Sequence, residues 1–188
     1  MNIPNALTVF RLALIPVFVL VFLLPFGWSA PASAMIFVLA AVTDWLDGYL
    51  ARKLNQSTPF GAFLDPVADK LMVAIALILM VEQQDRMLFT LPALVVVARE
   101  ILVSALREWM ADIGKRASVK VSFVGKVKTT VQMIAITVLL AVEPSPSALF
   151  YLGYILLYVA VFLTIWSAGL YVRAAWQDLS KAASEPGV

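Results

Sequence analysis

Four aspartates lie in strongly apolar sequence, in two pairs with helical spacing. Asp44 and Asp47 are three residues apart, and Asp65 and Asp69 are four residues apart, so each pair shares one face of a helix. Ionised side chains within a membrane-spanning segment are costly and rare, and they indicate a functional site. Four such carboxylates repel one another unless some are protonated or cations are bound. We predict bound divalent cations, because four carboxylates can bridge two metal ions.

The lack of two residue types limits the remaining chemistry. The chain contains neither cysteine nor histidine, which excludes a thiolate nucleophile, a cysteine/histidine zinc site and a Ser-His-Asp triad. A general base must therefore be a carboxylate, a lysine, a tyrosine or water. Any metal site must consist of oxygen ligands, which suit magnesium, manganese or calcium.

The composition indicates that the bilayer is the solvent for the elements that carry these residues. Apolar residues make up 62% of the 188 residues and charged residues 14%, against roughly 45–50% and 25% in soluble domains. Each apolar segment is near the ~20 residues that a membrane-spanning helix needs. These segments cover residues 7–26, 32–50, 60–81, 87–110, 121–142 and 148–176. We predict an all-α integral membrane protein with six transmembrane helices, one catalytic domain at residues 1–180 and a flexible tail at 181–188.

The basic residues predict the orientation. Alternate connections and the C-terminal tail are rich in basic residues, namely Arg52, Lys53, Lys115, Arg116, Lys120, Arg173 and Lys181. The other connections carry only Arg86. Because basic loops stay in the cytosol, both termini are expected there. The net charge of +2 in short clusters favours membrane topology over nucleic-acid binding.

The first segment has an alternative interpretation as a cleaved signal peptide. Residues 29–34, Ser-Ala-Pro-Ala-Ser-Ala, could imitate a cleavage site. Only Arg11 would serve as the positive start of such a signal, and five more apolar segments follow. This pattern favours a retained helix.

The second and third segments are expected to bring the aspartates together. Asp44 lies eight residues before Arg52, about 12 Å up the helix, and Asp69 lies ten residues after Pro59, about 15 Å up. Thr58 is the expected N-cap of the third helix. A short connection makes the two helices antiparallel neighbours, so the two pairs should meet at similar depth, recessed from the cytosol.

Small residues accompany the aspartates at helical spacing. Gly48 and Ala51 lie one turn from the first pair, and Gly61 lies one turn before the second. Glycine and alanine on membrane helices often serve helix packing, and Lys70 could pair with an aspartate. Four carboxylates and three small residues across one hairpin favour a ligand groove instead.

This hairpin resembles a known signature. It reads Asp44-Trp-Leu-Asp47-Gly48-Tyr-Leu-Ala51-Arg52, eight residues, then Gly61-Ala-Phe-Leu-Asp65-Pro-Val-Ala-Asp69. This is similar to the pattern of the CDP-alcohol phosphotransferases, D-x2-D-G-x2-A-R-x8-G-x3-D-x3-D, with all eight fixed positions filled. The resemblance to bacterial members extends along essentially the whole chain, from the N-terminal segment at residues 2–11 to Gly125-Lys126-Val-Lys128-Thr129.

The resemblance implies a fold, a reaction and residue roles. It implies a six-helix fold, a homodimer in the bacterial inner membrane and a site facing the cytosol. The implied reaction transfers a phosphatidyl group from CDP-diacylglycerol to sn-glycerol 3-phosphate, with Mg²⁺ or Mn²⁺, two ions in all. Asp44, Asp47 and Asp65 would be metal ligands, and Asp69 would be the general base and also able to touch a metal. The residues implied for the CDP site are Asn5, Thr8, Arg11, Gly48, Ala51, Arg52 and Gly61.

A phosphorylated acceptor needs its own anion site. The candidate basic residues lie on the fourth segment and at the start of the fifth, namely Arg99, Arg107, Lys126 and Lys128. Arg99 and Arg107 are eight residues apart and share a helix face, and guanidinium groups suit phosphate oxygens. Glu100 and Glu108 could instead hold these arginines in ion pairs.

Two alternatives remain open. Another member of the family could use a different acceptor, such as inositol phosphate, serine, choline or phosphatidylglycerol, because the signature describes only the shared CDP donor. A divalent-cation or proton transporter would also place carboxylates within the membrane. Matching broken helices in two halves would favour a transporter, and the sequence shows no such repeat.

Overall fold

The computed structural model describes residues 2–54, 58–112 and 123–182. Within these ranges the regular structure consists of six α-helices, which confirms the predicted all-α fold. The helices are α1 (Ile3–Phe22), α2 (Ser29–Lys53), α3 (Pro59–Gln84), α4 (Met87–Asp112), α5 (Phe123–Ala141) and α6 (Ala148–Ala182). The predicted basic loop residues Lys115, Arg116 and Lys120 and the tail 183–188 lie outside the described residues.

Most of these helices suit a membrane by length and composition. Four contain spans with mean hydropathy between 1.4 and 2.3, at Pro4–Phe22, Ser29–Ala51, Met87–Asp112 and Ala148–Leu170. A shorter apolar stretch occupies Val127–Ala141 of α5. The 26-residue α3 is long enough to span, but it carries the aspartates of the second pair within its first half. The chain is therefore a multi-pass membrane protein.

The third helix begins where the local sequence predicts. Thr58 has extended backbone angles, and its Oγ1 accepts a hydrogen bond from the Gly61 amide at 3.0 Å, as an N-cap does. Pro59 follows at the first helical position, where the missing amide proton breaks no hydrogen bond. The helix then continues through Pro66.

The first helix lies between the two helices of the predicted hairpin. α1 packs against both α2 and α3, whereas direct contact between α2 and α3 is slight. α5 packs on α6 and α2, and α4 packs on α6 and α3. The prediction that α2 and α3 pack closely on each other is therefore wrong, because each of them packs mainly on α1. Phe18 of α1 and Phe37 of α2 are fully buried in the resulting core.

Candidate active site at the aspartate cluster

A buried arginine of α1 joins the two aspartate pairs. Arg11 is 1% exposed, and its Nη1 lies 2.9 Å from Asp44 Oδ1 and 2.5 Å from Asp69 Oδ1. Its Nη2 lies 2.5 Å from Asp47 Oδ2. Carboxylates from α2 and α3 therefore converge, as the helical spacing predicted, but they do so around a guanidinium group.

Thr8, one turn before Arg11, contacts the fourth aspartate. Its Oγ1 donates a hydrogen bond to Asp65 Oδ1 at 2.6 Å, while Asp47 Oδ2 lies farther away at 3.4 Å. A hydroxyl has one proton to donate, so the shorter contact to Asp65 is the main hydrogen bond. Thr8 and Arg11 together link α1 to the carboxylates of both neighbouring helices.

Asn5 continues the same face of α1 at the start of α3. Its Oδ1 accepts a hydrogen bond from Thr58 Oγ1 at 3.0 Å. A Cβ atom at Gly61 would lie only 2.7 Å from Asn5 Oδ1. The glycine predicted to open a groove therefore lets the buried Asn5 amide approach α3. The role of Gly61 in CDP binding stays a prediction.

The other residues predicted for the CDP site lie near the end of α2. Gly48 and Ala51 are half-buried there, within two turns of Asp47. The prediction for the Arg52 side chain falls outside the described part of the chain.

A cavity of about 410 Å³ opens beside the aspartates. Asp44 and Asp69 are 43% and 45% exposed, whereas Asp47 is 3% exposed and lies against Arg11. The polar side chains of the lining come from five helices and are Arg11, Asp44, Asp65, Asp69, Lys70, Glu100, Arg107, Thr129 and Gln132. Acidic and basic groups thus face one shared space, which can hold a ligand that carries both phosphate and hydroxyl groups.

The α4 and α5 side of the cavity contains a buried ion-pair network. Lys128 is 2% exposed and donates a hydrogen bond to Glu100 Oε1. Arg99 donates to the same carboxylate oxygen at 3.3 Å and to Ser167 Oγ of α6 at 3.0 Å. Of the four predicted phosphate-binding residues, Arg107 lines the cavity, Arg99 and Lys128 contact Glu100, and the Lys126 side chain falls outside the described part.

The donor chemistry of the aspartates fits a hard divalent cation. Oxygen ligands suit magnesium and manganese, and the exposed carboxylates of Asp44 and Asp69 face the cavity. Among the described residues, no three acidic side chains lie close enough together to coordinate one metal ion. Arg11 instead lies between the carboxylates, so ligation of a metal would require some of them to leave the guanidinium.

Sequence reasoning missed the ion pairs of Arg11 and the pairing of Lys128 with Glu100. One signal was available, because Arg11 is the only basic residue in the first 51 positions. A lone charge in an apolar helix needs a partner, and four aspartates follow. The Lys128–Glu100 pair joins two helices, so spacing along the chain gave no indication of it.

A bundle of membrane helices around a carboxylate-lined polar cavity is typical of integral-membrane enzymes and of ion transporters alike, and comparison with known proteins decides between them. The profile of the CDP-alcohol phosphatidyltransferase family matches residues 1–166, and the chain belongs to this family.

Three curated relatives carry the name CDP-diacylglycerol–glycerol-3-phosphate 3-phosphatidyltransferase. The protein of Pseudomonas fluorescens is 55% identical over 180 residues, which cover 95% of this chain and 92% of the relative. The protein of Salmonella typhi is 57% identical over 179 residues, or 95% and 97% of the two chains. The protein of Shigella flexneri is 58% identical with the same coverage.

Proposed function

We propose that this protein transfers the phosphatidyl group of CDP-diacylglycerol to sn-glycerol 3-phosphate in phospholipid synthesis, with phosphatidylglycerol phosphate and CMP as products. The observation that carries the proposal is the shared cavity, which is lined by Asp44, Asp65 and Asp69 and by the basic side chains of Lys70 and Arg107. The names and high identity of the curated relatives support the same acceptor.

In this proposal Asp69 is the general base. It lines the cavity and is 45% exposed, so an acceptor hydroxyl can reach its carboxylate. The hydroxyl oxygen forms a bond to the phosphatidyl phosphorus as Asp69 takes its proton, and the bond from that phosphorus to the CMP oxygen breaks. CMP leaves with the bonding electron pair. Lys70 and Arg107 line the same cavity, which supports their proposed role in binding the acceptor phosphate.

Asp44, Asp47, Asp65 and Asp69 are the proposed ligands of two Mg²⁺ or Mn²⁺ ions. Bound divalent cations would neutralise the charge of the diphosphate and of the departing CMP. The remaining proposed contacts to CDP come from the residues that the family signature and the N-terminal segment supply, namely Asn5, Thr8, Arg11, Gly48, Ala51, Arg52 and Gly61. For the acceptor phosphate, Arg99, Lys126 and Lys128 stay candidates beside Arg107.

We propose that the protein is a homodimer in the bacterial inner membrane, with the cavity facing the cytosol. The distribution of basic residues supports this orientation. Arg173 near the end of α6 and Lys53 at the end of α2 are both exposed. The six helices would form one catalytic domain, followed by a short C-terminal tail.

An acceptor screen with the purified protein tests the proposal. With CDP-diacylglycerol and magnesium, CMP release is expected with glycerol 3-phosphate and not with inositol phosphate, serine or buffer alone. Excess EDTA is expected to stop turnover. Preferential turnover of inositol phosphate would assign a different acceptor, and full turnover in EDTA would contradict the proposed metal dependence.

A further inference from the structure

A buried glutamine of α5 lines the cavity, and its side-chain oxygen has no hydrogen-bond partner among the described residues. Gln132 is 2% exposed and contributes to the cavity lining. Its Oε1 atom is buried and has no hydrogen-bond partner among the described residues. An unsatisfied polar group is unfavourable inside a membrane protein and calls for a physical explanation. A ligand that brings a donor into the cavity would supply the missing hydrogen bond.

The neighbours of Gln132 on α5 lie at the same side of the cavity. Lys128, one turn earlier, pairs with Glu100 of α4 and so links the two helices through their side chains. Thr129 lies three residues before Gln132 and also lines the cavity. Gln132 therefore lines the same cavity as Asp69, the proposed base.

The unsatisfied Oε1 atom needs a hydrogen-bond donor, and a ligand hydroxyl can be that donor. A phosphate oxygen without a proton accepts hydrogen bonds, and Oε1 is also an acceptor. The two atoms therefore cannot form a hydrogen bond with each other. A hydroxyl donates and accepts, and it can therefore satisfy a carboxamide. Lys70 and Arg107 line the same cavity and suit the phosphate group better. The cavity thus offers separate partners for the phosphate and the hydroxyls of one small acceptor.

We propose that Gln132 accepts a hydrogen bond from the non-reacting secondary hydroxyl of the acceptor and thereby determines acceptor specificity. The inference rests on the proposed function, in which the primary hydroxyl of glycerol 3-phosphate attacks. It adds a residue that neither the family signature nor the charged residues indicated. Gln132 orients the acceptor, so that its primary hydroxyl approaches Asp69.

A thermodynamic cycle tests this role with Gln132→Met and the acceptor analogue 3-hydroxypropyl phosphate, which lacks the secondary hydroxyl. In the wild type, the analogue is expected to lower kcat/KM by about tenfold, the effect of one hydrogen bond. In Gln132→Met, glycerol 3-phosphate should show the same tenfold loss, mainly in KM, and the analogue should lose nothing further. The KM for CDP-diacylglycerol should stay within about twofold. Gln83→Met, at an exposed position of α3, is the matched control.

Stability in the absence of substrate gives an independent measurement. Replacing an unsatisfied buried amide by an apolar side chain of similar size is nearly neutral or stabilising, so Gln132→Met should unfold in detergent at the same or a higher temperature than the wild type. A clear fall in this temperature would show a structural role and overturn the proposal.

The kinetic outcomes separate this inference from the proposed function. A wild-type protein that does not turn over glycerol 3-phosphate would refute the function itself. If the wild type is active but the analogue penalty persists in Gln132→Met, only the role of Gln132 is refuted. An increase confined to the KM for CDP-diacylglycerol would assign the amide to the donor and would also refute the inference.

Discussion

Arg11 should stabilise the aspartate cluster before any substrate binds. The guanidinium is 1% exposed and contacts three carboxylates at 2.5–2.9 Å. In Arg11→Met the side chain keeps much of its apolar bulk but loses the charge. Asp47, 3% exposed, would then keep an uncompensated charge in a buried position.

The size of the effect follows from the burial of each pair. Breaking a buried ion pair by removing one partner costs about 3–5 kcal/mol, and this estimate applies to Arg11 with Asp47. The contacts to Asp44 and Asp69 involve carboxylates that are 43% and 45% exposed, so solvent screening reduces each to at most about 1 kcal/mol. The buried pair dominates, and we expect Arg11→Met to lose about 3–5 kcal/mol of unfolding free energy.

Denaturant unfolding in detergent, with EDTA and then with magnesium, measures this loss. Because divalent cations also neutralise carboxylates, magnesium should stabilise Arg11→Met more than it stabilises the wild type. Arg173→Met, at an exposed position of α6, is the control and should change stability by no more than about 0.5 kcal/mol. If Arg11→Met is as stable as this control in EDTA, the aspartates do not depend on the guanidinium and the reasoning is refuted.

Two further predictions concern the base and the helix packing. Asp69→Asn should lower kcat by about 10²-fold or more, as expected for loss of a general base. Equilibrium binding of CDP-diacylglycerol should stay nearly unchanged. Loss of metal binding in this variant would instead make Asp69 mainly a metal ligand. Gly153→Ala should destabilise the protein by about 1–3 kcal/mol, because its Cβ would lie 2.6 Å from Leu139 Cγ at the α5–α6 interface. Gly169→Ala, where a Cβ would meet nothing within 4 Å, should be neutral or slightly stabilising in the same unfolding experiment, and equal effects of the two substitutions would contradict the tight α5–α6 packing.

Local sequence patterns predicted the elements of the fold and the content of the cluster. Apolar runs of membrane-spanning length predicted the helices, because a bilayer requires internally hydrogen-bonded segments. Thr58 and Pro59 predicted the start of α3 through local capping rules. Helical spacing placed Asp44 and Asp47 on one face of α2. Their partners therefore had to come from the helices that pack against this face.

The assignment of partners across helices required the tertiary structure. The sequence favoured α2 and α3 as direct neighbours, whereas α1 separates them and brings Arg11 to the aspartates. Likewise, Lys128 pairs with Glu100 on another helix, 28 residues away in the chain.

The amino-acid sequence by itself determined the membrane helices, the family signature and the oxygen-only chemistry of this protein. Only the tertiary structure decided that Arg11 pairs with three of the aspartates, that Lys128 pairs with Glu100 and that Gln132 lines the cavity. The physical reason is that helical periodicity fixes the face on which a side chain lies. Helix packing then decides which neighbouring helix meets that face, since it depends on the shapes of all the contacting side chains at once.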